Sequence, residues 1–276
     1  MTIDTHQHFW KYDPVAYDWI SSDMAGIRKD FLPADLHREI SSAGVDGVIS
    51  VQARQSIAET KWLLQLADTY PFIKGVTAWL PLADAHAGAL LEKYAVNPYL
   101  KACRHLLQGE ADDYMFHEGF SRGIDLLAHH QLIYEILVYE RQLPSVIRFV
   151  DLHPGQVFVL DHMAKPCVSK NEMSPWRENI RLLAERPQVH CKLSGIVTEA
   201  SYDNWTVEHL KPYMDTVLEA FRPDRLRYGS DWPVCLLACT YGHWLSLVKS
   251  FISALSEAEQ MKILGANAVK LYRLEM

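Results

Sequence analysis

Eight short runs of apolar and β-branched residues recur along this chain, each followed by a longer stretch of helical period, and no other feature restricts the fold as much. They are TIDTH (2–6), VDGVISVQ (45–52), KGVTAWLPL (74–82), LKACRHL (100–106), LIYEILVY (132–139), VFVLDHM (157–163), VHCKLSG (189–195) and RLRYGSD (225–231). The punctuation between them supports the same count. Ser56 with Glu59 and Ser256 with Glu259 have capping-box spacing, ahead of TKWLLQLADTY and QMKILGANAVKLY. Ser174–Pro175 reads as an N-cap and first helical residue before WRENIRLLAER, and Gly44 closes ADLHREISSA. No Pro/Ser-rich linker or low-complexity tract divides the chain. The pattern predicts a single (β/α)8 barrel of TIM type over residues 1–276, with an open doubly wound sheet as the alternative.

Composition enters as a test of whether such a barrel can be filled and what it can touch. A chain of 276 residues that is 49% hydrophobic can bury one large core. The 27 Lys and Arg against 34 Asp and Glu give a net charge of −7, and no basic run overrides it, so neither nucleic acid nor an anionic membrane is an expected partner. Five cysteines without a C-x-x-C pair suggest neither a disulfide framework nor a zinc knuckle, and Cys235 and Cys239 read as apolar packing. With no signal-peptide pattern and no apolar run of membrane length, a soluble cytoplasmic protein acting on a small molecule is expected. The sequence specifies no oligomeric state.

In a (β/α)8 barrel, chemistry gathers at the carboxyl ends of the strands. Candidate strand ends carry His6 and His8, Arg104 and His105, Asp161 and His162, Lys192, and Asp231. Residues i and i+2 of a strand face one side, so His6 and His8 present both imidazoles to one space while Thr5 and Gln7 face away. Such a pair can bind a divalent cation, polarise a carbonyl, or simply pack in the core. His105, opposite in phase to Arg104, falls outside the site. His129, His130, His153 and His209 are expected at the surface, and Trp79, Trp205, Trp232 and Trp244 in the core or pocket wall.

DTHQHFW, KACRHLLQ, VLDHMAKP, KLSG, YGSDWPV and ILGANAVKLY, in this order, resemble the amidohydrolase superfamily. More closely they resemble its sugar-lactonase branch, which includes fuconolactonases, rhamnonolactonases and the pyrone-dicarboxylate lactonase, and the likeness runs from residue 2 to residue 273. The resemblance implies a distorted barrel that hydrolyses a small cyclic ester. It implies His6 and His8 as the strand-one pair, His162 as the third histidine, Asp231 as general base and Arg104 as a substrate-binding arginine, with Lys192 a looser match. The two-metal members use a bridging lysine or acid late in strand four and a histidine on strand five. Here Lys101 stands too early in KACRHL, and LIYEILVY has no histidine. The implied requirement is therefore no cofactor, or one divalent metal, zinc first, at His6, His8, His162 and Asp231.

Ester hydrolysis needs a base for water, a donor or cation at the carbonyl oxygen, and a proton for the departing alkoxide. Asp231 can take and return the proton, and the three histidines, directly or through a metal, can stabilise the oxyanion. Arg104, Lys192 and Gln52 can hold the substrate's hydroxyls. The expectation is a hydrolase of a sugar lactone, ahead of two rivals: a metal-dependent decarboxylase of an aromatic or unsaturated acid, against which the missing strand-five histidine argues, and a silent binding barrel, against which Asp231 argues.

Overall fold

The computed structural model describes residues 1–275. Its strands are β1 (Ile3–Gln7), β2 (Gly47–Val51), β3 (Ile73–Ala78), β4 (Leu100–His105), β5 (Ile133–Ile136), β6 (Phe158–Leu160), β7 (Val189–Leu193) and β8 (Leu226–Tyr228). Each pairs in parallel with the next, in the order of the sequence. The intervening helices are α1 (Pro33–Ala43), α2 (Ile57–Thr69), α3 (Ala87–Ala95), α4 (Glu118–His129), α5 (Leu143–Leu152), α6 (Trp176–Ala184) and α7 (Val207–Phe221). After β8 come α8 (Tyr241–Phe251), α9 (Glu257–Met261) and, past one π-helical turn, α10 (Asn267–Tyr272). This is a TIM-type (β/α)8 barrel, not an open sheet.

All eight apolar runs become strands, shortened where the backbone turns into the site. β6 stops at Leu160 because Asp161 onward leaves the strand, and β8 stops at Tyr228 before Gly229. Among the caps, Gly44 takes the left-handed conformation (φ 68°) and ends α1, and Ser256 with Glu259 forms a reciprocal capping box. Ser56 caps α2, but Glu59 turns away from it and accepts from the Ala53 and Arg54 amides. Pro175, not Ser174, is the N-cap of α6.

The barrel closes through a seam rather than a ladder. Gln7 and Trp232 form one isolated parallel bridge, His8 N donates to Trp232 O at 2.7 Å, and Asp231 N donates to His6 O at 2.7 Å. Buried Asp4 clamps the seam: its Oδ1 accepts from the amides of His6 (3.0 Å) and Ser230 (2.8 Å), and its Oδ2 accepts from the Tyr241 hydroxyl (3.0 Å).

Strand alternation layers the interior. Ala102, Ile133 and Val159 join Ile3 and Ile49 in an apolar plug against Ala268 and Tyr272 of α10. Two residues further along stand Arg104 and Glu135, on the same face of their strands, and Asp161, just past the end of β6. The barrel is therefore apolar at its floor and charged at mid-height, with the histidines above.

Candidate active site

The charged layer sets the site. Fully buried Lys192 lies 2.6 Å from Glu135 Oε2 and 3.0 Å from Asp161 Oδ1, and the Tyr272 hydroxyl donates to the other Glu135 oxygen at 2.7 Å. Arg104 donates to Asp161 Oδ2 at 2.9 Å and to the Gln52 carbonyl at 2.5 Å. Buried charges are tolerated when paired in this way. Burial works to raise the Asp161 carboxyl, but Lys192, His6 and Arg104 outweigh it and hold it well below the ordinary range. Glu135 is pushed up, by burial first, against the pull of Lys192.

Above this layer the imidazoles converge. His6 Nε2 and His8 Nε2 are 3.2 Å apart, and Asp231 Oδ1 lies 3.7, 3.4 and 3.8 Å from Nε2 of His6, His8 and His162 respectively. The opposite ring nitrogens have partners of their own. His8 Nδ1 meets Val51 O at 2.8 Å, His162 Nδ1 meets Ser194 Oγ at 2.9 Å, and His6 Nδ1 faces Asp161 Oδ1 at 3.4 Å with Lys192 Nζ at 3.2 Å. A carbonyl can only accept, so His8 carries a proton on Nδ1, and its Nε2 faces Asp231. Burial holds His6 well below the usual imidazole value and His162 down to about 4, so both are neutral near pH 7. Burial would raise the Asp231 carboxyl, but His162, the His8 hydrogen bond and His6 hold it well below the carboxylate range.

Two glycines make room for the rings. A Cβ at Gly195 (φ 67°) would stand 2.4 Å from His162 Nδ1, and one at Gly229 would stand 2.8 Å from the His6 Cβ. These are the glycines of KLSG and YGSD. His162 itself opens a run of left-handed residues, His162, Met163, Ala164 and Lys165, with φ of 50°, 55°, 59° and 48°. Asp231 is also left-handed, at φ 58°. Non-glycine residues in that region are uncommon and cluster where a site demands them.

The cluster opens into a cavity of about 370 Å³ at the carboxyl ends of the strands, lined among others by His8, Arg104, His162 and Asp231. Trp19 and Met24, from the excursion between β1 and α1, form part of its wall. That excursion is tied back by Trp10 Nε1 donating to Lys29 O and by the Trp10–Phe31 bridge. Residues 3–274 match the Amidohydrolase family.

The chain belongs to that family. This amidohydrolase is 39% identical to an L-fucono-1,5-lactonase of Burkholderia multivorans, over 99% of its own length and 96% of the relative's. It is 33% identical to an L-fucono-1,5-lactonase of Burkholderia ambifaria, with the same coverage. A crystal structure of a Burkholderia multivorans amidohydrolase with bound zinc superposes with a TM-score of 0.95, at 39% identity and full coverage of both chains.

The donors of this amidohydrolase fit one metal ion. Ligand atoms of His6, His8 and Asp231 lie within 4.8 Å of one another. The His6–His8 separation of 3.2 Å is close to the edge, about 3.3 Å, of a tetrahedron with Zn–N bonds of about 2.0–2.1 Å. His162 stands beside this trio, next to Asp231. A second grouping, His6, Asp161 and His162, also exists, but Arg104 and Lys192 already neutralise its carboxylate.

His6, His8, His162, Asp231 and Arg104 thus come together as expected from the strand ends. Lys192 and Gln52 lie elsewhere than the other candidates: both are fully buried, their polar atoms engaged beneath the cavity with Glu135, Asp161 and Arg104. His105 lies outside, bonded to Glu110, as its phase requires. His153, expected at the surface, is buried between Ser121 and Asp125, while His129 and His209 are exposed. Sequence reasoning missed Ser194, although KLSG contains it, and the loop residues Trp19, Tyr139, Lys165 and Glu199.

Among the described residues, no helix is long and apolar enough to cross a membrane.

Proposed function

We propose that the protein hydrolyses a sugar lactone, with Asp231 as the group that takes a proton from water and returns it to the departing ring oxygen. The observation that carries this reading is the Asp231 carboxylate at the cavity wall, within 3.4–3.8 Å of three histidine Nε2 atoms. The two relatives bearing the name L-fucono-1,5-lactonase support the class of substrate.

The chain's own groups divide the work. Arg104 lines the cavity, held by Asp161 and the Gln52 carbonyl, and stands where it can bind the substrate. Asp161 and Lys192 orient His6, Val51 orients His8 and Ser194 orients His162, so the rings are set before substrate arrives. Trp19, Met24 and Val234 exclude water from one side of the cavity. An ion held by His6, His8 and Asp231 would supply polarisation of the lactone carbonyl and a more acidic attacking water. His162, beside Asp231, then remains to donate to the developing oxyanion or hold the water.

The test is a panel of five- and six-membered aldonolactones followed with a pH indicator, beside aromatic acids followed for carbon dioxide release. Lactone opening with a six-membered sugar lactone among the best substrates is the expected result. Decarboxylation without lactone turnover would replace this reading.

A further inference from the structure

One ion pair on the cavity wall has no part in the chemistry above. Lys165 Nζ and Glu199 Oε1 stand 3.7 Å apart, their side chains 20% and 22% exposed, and both line the cavity with Asp231. That separation is too long for a hydrogen bond. Among the described residues no other side-chain hydrogen bond engages either group, so the ammonium keeps donors and the carboxylate keeps lone pairs for something in the cavity. Their backbones are fixed. Lys165 ends the left-handed turn that begins at His162, its amide donating to His162 O at 2.8 Å, and Glu199 accepts through its carbonyl from Ser169 N at 3.1 Å. The Lys165 ammonium also rests 5.5 Å from the Tyr139 ring centroid.

A cation and an anion side by side, each with spare capacity, match two neighbouring hydroxyls: one oxygen accepts from Lys165 and the other O–H donates to Glu199. A substrate carboxylate would fare badly there. It would face both Glu199 and Asp231, while the Lys and Arg cations of the wall are already opposed, Lys165 by Glu199 and Arg104 by Asp161. Burial pushes the Glu199 carboxyl up, against the pull of Lys165, and Asp231 adds to the rise, as for two acids sharing one space.

We propose that Lys165 and Glu199 form a diol-binding subsite that selects uncharged, polyhydroxylated lactones and rejects lactones carrying a free carboxylate. This deepens the lactonase reading and rests on it. A site built to hydrogen-bond a hydroxyl discriminates against analogues that lack it, because its polar groups are then left unpaired.

The test compares wild type with Lys165→Met and Glu199→Gln on three lactones: a six-membered aldonolactone, δ-valerolactone, which has the ring without hydroxyls, and an aldarolactone, which has a free carboxylate. The ratio of kcat/KM for aldonolactone to δ-valerolactone is expected to fall at least tenfold in each variant. In Glu199→Gln the aldarolactone should gain at least tenfold relative to the aldonolactone. Smaller changes in both ratios overturn the subsite. Binding of a 1,5-anhydrohexitol, a ring polyol with no ester, is measured by calorimetry in parallel and should weaken at least tenfold in each variant. Should wild type open no lactone, the lactonase reading fails, and the polyol decides the subsite: weakening in both variants supports it, and equal or absent binding overturns it. If one variant does not fold, by circular dichroism, the other carries the comparison from the opposite charge.

Discussion

Asp231 acts through two groups at once. Its amide donates to His6 O and helps close the barrel, while its carboxylate faces His6, His8 and His162. Asp231→Asn removes the basicity and keeps the amide, so kcat should fall about 10²- to 10⁴-fold with little change in melting temperature. A variant that melts early yet hydrolyses at the parent rate would make Asp231 a structural cap. The pH profile follows from the same groups. Asp231 must be ionised and His162 neutral; the carboxyl is held below its ordinary range and His162 titrates at about 4. Activity is therefore expected to persist as pH falls through 6 and to drop only near about 4, which an initial-rate series from pH 3.5 to 8 would check. Elemental analysis should find at most one divalent ion per chain, since the second carboxylate of the cluster, Asp161, is already held by Arg104 and Lys192. These residues were legible because they stand at or just beyond strand ends, where position in the repeat predicts direction. Lys192 points inward as expected, but it lies one layer beneath the cavity, paired with Glu135 and Asp161.

At the scale of elements, the turn after β6 is where the sequence pattern misleads. VFVLDHM reads as a strand through residue 163, yet β6 ends at Leu160 and four successive residues turn left-handed, none of them glycine. A left-handed residue costs about 1–2 kcal/mol, and nothing in a hydrophobic period announces it. Packing sustains the turn: Met163 and Ala164 are fully buried, and Trp176 Nε1 at the start of α6 donates to Met163 O at 2.7 Å. Lys165 and Glu199 could not be read as partners because this turn decides where Lys165 points. The turn also leans on Gly195, whose missing side chain admits the His162 ring. Gly195→Ala is expected to displace that ring, lowering kcat/KM at least tenfold and the melting temperature by several degrees, since an alanine at positive φ adds its own strain. Unchanged kinetics in a folded variant would show that His162 is not held by this contact.

For the whole molecule, the eightfold alternation was the most legible property, because each run must bury itself whatever its ends do. The closure was not legible, since it rests on Asp4, one buried carboxylate near the start of the chain. Burial raises its carboxyl to about 6 from an ordinary 3.8, despite hydrogen bonds from Ser230, His6 and Tyr241. The folded state thus holds this proton more tightly than the unfolded chain. Its contribution to stability is greatest below about pH 3.8, declines as pH rises to about 6, and is constant above. Asp4→Asn should abolish that decline, so between pH 4 and 7 the wild type should lose up to about 3 kcal/mol relative to the variant, read from denaturant melts at each pH. Parallel curves would mean that Asp4 is ionised at no cost.

The seam has a further consequence in the order of synthesis. His6 and His8 are synthesised long before Asp231, yet they wait for it and for the pairing of Gln7 with Trp232, which only the last strand brings. A nascent chain halted after seven strands lacks the carboxylate, the seam and the wall beside it. Catalysis here therefore reports that translation has passed β8.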